Sequence, residues 1–233
     1  MKRIKICSEA VYVIAMLCIS FSVAMVSAAD FGVSMIVASA YIISEKVSFL
    51  TFGQAEYIVQ GLLFVVFCIL MRKVRLTYFC AFLTSVLYGA LLDMWRAVIP
   101  HFNPSVCAPG SMHMALRITY LAVGMVMTAF AVALFFKTYI CPQVYDYFVK
   151  AVSEKYGIYR TKFKACFDAG CLVTACALSF IFFRRFVGIG IGTVIMTLLN
   201  GVIIGGFGKL LDKTVEVKPL FPKLAAKFEE NIV

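Results

Sequence analysis

Acidic side chains set inside apolar sequence are the first places where this chain could carry chemistry. Glu56 and Asp168 each stand a few residues into a long apolar run, where a charge costs about 2.5–3.5 kcal/mol on insertion. A carboxylate in such a place can bind a cation, accept a proton or pair with a buried basic residue. The alternative is an acid at headgroup level, favoured by the helix dipole by about 0.3–1 kcal/mol. Asp30 follows the first apolar run and is placed to cap the short helix after it, with Ser34 close behind. Asp146 belongs to a second short segment. Gln60 and Asn200 lie deeper in their runs, where an amide bonded between helices contributes about 0.6 kcal/mol on average. These seven residues, Asp168, Glu56, Asp30, Ser34, Asp146, Gln60 and Asn200, form the candidate substrate or ion site. Asp93, three residues before Arg96 with Trp95 between them, reads as an ion pair and an aromatic anchor at a membrane edge.

Other constellations point away from catalysis. The run Gly188-Ile-Gly190-Ile-Gly192-Thr193 resembles a nucleotide loop only superficially, because it lacks a preceding strand and the lysine of a P-loop. It suits close helix packing, continued at Gly201, Gly205, Gly206 and Gly208, or a helix amino terminus whose N–H groups face an anion. His101 and His113 are the two histidines, and the nine cysteines show no C-x-x-C spacing. The cysteines read as small buried hydrophobes, so no metal or cofactor is expected. No Ser/His/Asp or Cys/His arrangement is recoverable, and the expectation is that the chain is not an enzyme.

The elements that must position these residues follow from composition. Of 233 residues 63% are hydrophobic and 15% charged, with a mean hydropathy of +0.95. A soluble domain sits near 45–50% apolar and about 25% charged, so the chain is an all-α integral membrane protein in contact with the lipid bilayer. Six spans are expected at 9–28, 54–71, 76–98, 116–136, 166–183 and 187–211, each near the ~20 residues that cross a bilayer. The net charge of +10 would suggest nucleic acid on a soluble protein, but the basic residues flank apolar runs without interleaved stacking aromatics, which argues against it. Lys2, Arg3, Lys5, Arg72, Lys73, Arg75, the lysines between spans four and five, and the tail lysines all fall on one side. Both termini are therefore expected to be cytoplasmic, with Arg184-Arg185 as the exception. The tail reads as a short interfacial helix or a disordered end. Met1 to Lys5 followed by apolar residues and Val26-Ser27-Ala28 has the form of a secretory signal. Its apolar run exceeds the usual ~7–15 residues, however, and the span is expected to be retained.

An internal repeat organises the chain. At an offset of 109, Phe21 to Met25 aligns with Phe130 to Leu134, and Ser44-Glu45-Lys46 with Ser153-Glu154-Lys155. At an offset of 112, Glu56 faces Asp168, Arg72-Lys73 faces Arg184-Arg185 and Gly89 faces Gly201. Each half holds an odd number of spans, so tandem halves insert with opposite orientation about a pseudo-two-fold axis. This explains the misplaced Arg184-Arg185 pair. The expected organisation is a 1–8 amino terminus, a first three-span repeat at 9–98, an extracytoplasmic loop at 99–115, a second three-span repeat at 116–211 and a tail at 212–233. Each repeat carries an extra short segment, 31–46 or 140–156. Either is a surface helix or one of a pair of re-entrant half-helices pointing at a central site. In the second, Val144, Phe148 and Val152 share a face, and Tyr139, Tyr145, Tyr147 and Tyr156 suit an interfacial aromatic belt.

Several stretches resemble the YitT/YczE-type multi-pass bacterial membrane proteins, in the shorter YczE-like branch without a soluble carboxy-terminal domain. They are Ala29 to Ser34, Leu50 to Gln54, Tyr88 to Asp93, Pro142 to Phe148, Phe167-Asp168 and Val187 to Thr193. They occur in order over nearly the whole chain, with one departure at Met35, where the family pattern has proline. The resemblance implies this architecture and a cell-membrane location. Two functions then fit the sequence: a secondary transporter or exporter of a small solute with a site between the halves, or a non-transporting membrane subunit or scaffold. A homo-oligomer or a membrane partner is compatible with either.

Overall fold

The computed structural model describes residues 4–108, 110–222 and 225–226. Six helices are long and apolar enough to span a bilayer: α1 (Ser8–Ala29), α3 (Phe52–Met71), α4 (Leu76–Val98), α5 (Met114–Phe135), α7 (Arg160–Phe183) and α8 (Ile191–Thr214). At 1.5 Å per residue, helices of this length match the ~30 Å hydrocarbon core. Two shorter helices, α2 (Met35–Lys46) and α6 (Val144–Tyr156), occupy the interrupted segments. The chain is thus an all-α multi-pass membrane protein, with one small addition. A strand β1 (Ile4–Cys7) pairs in parallel with β2 (Val215–Lys218), Ile4 opposite Val215 and Cys7 opposite Lys218. This strand precedes the Pro219 to Phe228 stretch read as an interfacial helix or a disordered end, and it holds the start of the tail against the amino end. Beyond β2, residues 223, 224 and 227–233 of that tail lie outside the described residues. Glu9 reinforces the closure by accepting hydrogen bonds from the Leu220 and Phe221 amides, at 3.0 and 3.3 Å, and from the Tyr139 hydroxyl at 2.6 Å. Burial and the Glu9 carboxylate push the Tyr139 phenol up to about 12, so it remains a donor.

The packing reproduces the repeat. Helix α1 lies against α5 across the centre; α1 packs on α4 as α5 packs on α8; α2 packs on α7 as α6 packs on α3. Hydrogen bonds cross between the halves in matched pairs. Lys46 Nζ of α2 donates to the Phe182 carbonyl at the end of α7, and Lys155 Nζ of α6 donates to the Leu70 carbonyl at the end of α3. These lysines are 109 positions apart and the carbonyls 112 apart, the two offsets of the sequence repeat. Likewise Thr84 of α4 donates to the Cys141 carbonyl just before α6, and Thr193 of α8 to the Val33 carbonyl just before α2. Arg72 and Arg184 close α3 and α7 with the same left-handed backbone, φ 52° and 53°.

Both short helices are interior. Six consecutive residues of α2, Val37 to Ile42, are buried. In α6 eight residues are buried, including Tyr145 and Tyr147, which form no aromatic belt, while Asp146, Lys150 and Glu154 leave one face partly open. The bland expectation of surface helices is not what is observed, because each helix is flanked by spans of both repeats.

Symmetry fails between the second and third spans of each half. Helices α3 and α4 pack tightly where Gly53 and Gly89 meet: a Cβ on Gly53 would lie 1.9 Å from the Gly89 carbonyl oxygen. Among the described residues α7 and α8 lack the corresponding interface, and only 11% of the span window of each is buried. Gly201, Gly205, Gly206 and Gly208 of α8 meet nothing within 4 Å. The packing role expected of Gly201 is thus not realised.

Candidate functional site

A polar cluster lies where α3, α4 and the start of α6 converge. Gln60 and Ser85 stand eight and nine residues into α3 and α4, or about 12–14 Å along their axes, near the middle of a ~30 Å core. Gln60 is fully buried and joins three elements. Its Nε2 donates to Glu56 Oε1 one turn earlier at 3.2 Å and to Gln143 Oε1 at 3.3 Å, while Ser85 Oγ donates to its Oε1 at 2.5 Å. Ser85 Oγ also accepts from the Val144 amide at 3.2 Å, satisfying one of the unpaired N–H groups that open α6. Pro142 precedes this start, and Gln143 is the residue from which α6 begins. The chain enters α6 from the middle of the protein because Thr84 holds the Cys141 carbonyl.

Three polar atoms around this cluster are buried without a hydrogen-bond partner: Glu56 Oε2, Gln143 Nε2 and Tyr145 OH. Glu56 is 0% exposed, so it is not a solvated helix-start acid. Despite standing in the second turn of α3, it is covered by α6. An acceptor and two donors left open in a low-dielectric interior carry an unrelieved cost of about 1–3 kcal/mol each, unless a proton, water or solute completes them. The positive end of α6 adds attraction for negative charge at the same point.

The other expected site residues separate into two groups. Asp146 and Asp168 share Lys164, whose Nζ is 3.5 Å from a carboxylate oxygen of each. Asp168 is mostly buried and keeps that oxygen without a hydrogen bond. Cys171, one turn further along α7, is within electrostatic reach of both Asp168 and Glu56, and Tyr145 of Glu56. The repeat-related acids therefore flank one region, with the first half of α6 between them. Asn200 also has a buried oxygen without a partner, but it lies on α8, which packs on α5 and not on this region.

Asp30 and Ser34 belong elsewhere. Asp30 is the left-handed C-cap of α1 and not the cap of α2; Arg117 grips it by donating to the Ala29 and Asp30 carbonyls at 2.8 Å and to Asp30 Oδ2 at 3.2 Å. Ser34 stands at the start of α2, accepting the Val37 and Ala38 amides through its carbonyl. The glycine run packs against this segment. The Gly192 amide donates to the Phe31 carbonyl at 2.8 Å, the Val33 amide to the Gly188 carbonyl at 3.0 Å, and the Gly190 amide to Thr193 Oγ1. Gly188 has φ +70°, and a Cβ there would lie 2.6 Å from the Tyr41 ring. The amino end of α8 is thus filled by protein, which decides for packing over an anion site. It also explains why α8 begins at Ile191 and not at 187: the chain runs extended against residues 31–33 first.

Asp93 also departs from expectation. It accepts from Thr51 Oγ1 at 2.5 Å and from the Gly53 amide at 2.8 Å, binding the start of α3, while Arg96 stacks on Phe52. Trp95 turns toward α1, its indole donating to Ser20 Oγ and its ring packing on Phe21. The sequence reading missed Ser85, Gln143, Tyr145 and Lys164. The available signal was the Pro142-Gln143 start of α6 beside a polar Thr84-Ser85 pair in an otherwise apolar span.

No curated protein and no solved structure is matched by the chain. A family model of unknown function, DUF6198, matches residues 6–209. That match spans all six membrane helices apart from the last turn of α8, both short helices and every member of the polar cluster, and the chain belongs to the DUF6198 family of unknown function.

Proposed function

We propose that the protein is a secondary transporter or exporter of a small solute in the cell membrane, with both termini cytoplasmic and Glu56 as the coupling group. One observation carries the reading: a fully buried carboxylate one turn from the mid-span Gln60, with a free oxygen, beside two unpartnered donors at the start of an interior half-helix. Such a carboxylate is a site that takes up and releases a proton or cation as its surroundings change. The crossed repeat supplies the other requirement, two halves able to rock about a shared axis. The order of the motifs supports kinship with YitT/YczE-type proteins as part of the same proposal.

In proteoliposomes with an imposed pH gradient, a screen of amino acids, organic cations and small metabolites should yield a solute whose flux depends on the gradient. Glu56→Gln, which retains an acceptor for Gln60, should abolish that dependence while the protein remains monodisperse. Gradient-driven flux at the wild-type rate in Glu56→Gln would remove Glu56 from the mechanism.

The unpacked α7–α8 face favours a second reading, a membrane subunit whose partner covers Gly201, Gly205 and Gly208. Stoichiometric co-purification of another membrane protein from native membranes, with no solute flux by the isolated chain, would decide for it.

A further inference from the structure

A cavity of about 480 Å³ opens at the end of the bundle where α3 turns into α4. Its floor is apolar, formed by Met71, Ala151 and the ring of Tyr78, which is 2% exposed. Its rim is basic. Lys73 and Arg75 come from the turn after α3, and Lys155 from the last turn of α6. Glu154 is the one carboxylate in the lining, leaving two formal positive charges in excess. Among the described residues neither Lys73 nor Lys155 forms an ion pair with a carboxylate. The wall is built and not a chance gap between side chains. Arg72 ends α3 in a left-handed turn, and Lys155 Nζ ties α6 to the Leu70 carbonyl at 2.8 Å, which fixes the distance between the two walls. Immediately outside, Ile69, Val74, Leu76 and Phe79 are 70%, 74%, 65% and 57% exposed, forming an apolar margin along α3 and α4.

We propose that this cavity binds the phosphate of an anionic phosphoester. Lys73 and Arg75 hold the phosphate at the rim, and Glu154 accepts a hydrogen bond from a hydroxyl or ammonium group of the same ligand. The volume exceeds that of a bare phosphate and suits a phosphodiester with a glycerol-sized substituent, within the ~300–1,000 Å³ of small-molecule sites. Basic pockets at the cytoplasmic ends of membrane helices take up anionic headgroups in this way, each cation contributing about 1 kcal/mol at the surface. The apolar margin is where acyl chains of a lipid would lie. A soluble phosphoester would use the same rim without it. The site is separate from the Glu56 cluster and does not depend on the transport reading.

The test uses the full chain purified in a neutral detergent, with native mass spectrometry and thermal unfolding as readouts. Three probes are compared: dioleoyl phosphatidylglycerol, dioleoyl phosphatidylcholine and glycerol 3-phosphate. Phosphatidylglycerol is expected to bind and raise the unfolding temperature more than phosphatidylcholine. The variant Lys73→Gln with Arg75→Gln should weaken its binding by about tenfold or more, and Lys213→Gln, on α8, should leave it within about twofold. If glycerol 3-phosphate protects as well as the lipid and loses protection in the double variant, the ligand is a soluble phosphoester. Lys73→Gln alone removes an exposed side chain and keeps the test valid should the double variant fail to fold. Equal binding of phosphatidylglycerol and phosphatidylcholine, with no protection by glycerol 3-phosphate, would overturn the proposal, as would binding unaffected by either variant.

Discussion

Gly89 and Gly201 occupy equivalent positions in the two repeats, so the same substitution at each isolates what the missing α7–α8 interface costs or saves. In Gly89→Ala the new methyl group would sit 2.6 Å from the Gly53 carbonyl oxygen and 3.1 Å from the Tyr57 ring. Ordinary contact begins at 3.4 Å, so α3 and α4 must part by about 0.8 Å, and backbone has no rotamer with which to yield. Overpacking at 2.6 Å against backbone belongs to the upper part of the usual range, about 2–3 kcal/mol, against which alanine returns about 1 kcal/mol of helix propensity. We expect a net loss of about 1–2 kcal/mol at Gly89. At Gly201 nothing lies within 4 Å, so only the propensity gain of about 1 kcal/mol remains. For a chain of this size 1 kcal/mol moves the unfolding midpoint by about 2–4 °C. The two variants should therefore differ by about 4–12 °C when unfolded side by side in one detergent, Gly201→Ala melting above wild type and Gly89→Ala below it. The Ser85–Gln60 bond joins α4 to α3, so Gly89→Ala should also lower the proposed solute flux. A Gly89→Ala protein as stable as wild type, or a Gly201→Ala protein destabilised to the same degree, would refute the packing difference between the halves.

Further expectations concern the crossing bonds and the cysteines. Thr84→Val and Thr193→Val each remove a hydroxyl that binds the opposite half. Each should destabilise by about 1–2 kcal/mol, nearly additively in the double variant, since they act at separate sites. If either proves neutral in thermal unfolding, that bond does not hold the halves together. Cys141 is 2% exposed, and burial, reinforced by Cys80, pushes its thiol up to about 12. It should resist maleimide from pH 7 to 9, because an acid with a raised pKa stays protonated throughout that window. In single-cysteine variants, Cys107 of the 99–113 loop should react with a membrane-impermeant maleimide added to intact cells, and Cys7 only after lysis. The reverse pattern would invert the proposed topology.

Much of the architecture was legible because a bilayer imposes its demands locally. Length and hydropathy alone place the span ends to within six residues, and Lys46, Lys155, Arg72 and Arg184 betray the repeat at offsets that their hydrogen bonds and turns then share. Glu56 and Gln60 stood out as a charge and an amide in apolar sequence. Ser85 and Gln143 did not, since an uncharged polar side chain in a span has the same local signature whether it faces lipid, its own helix carbonyl or a partner. Tyr145 looked like an interfacial tyrosine because a short amphipathic helix reads alike on a membrane surface and inside a bundle.

The amino-acid sequence by itself determined the membrane class, the six spans, the two repeats and the acids worth testing, because these depend on residues near one another in the chain. Only the tertiary structure decided which of those acids is buried and which polar atoms remain open. It also decided that Asp93 binds the start of α3, that the tail pairs with the amino end, and that glycines equivalent in the repeat meet backbone in one half and nothing in the other. The physical reason is that burial and hydrogen-bond satisfaction are set by what the rest of the chain brings opposite a residue. In Glu56 the last free oxygen is open because α6, arriving from more than eighty residues away, covers the carboxylate without bonding it.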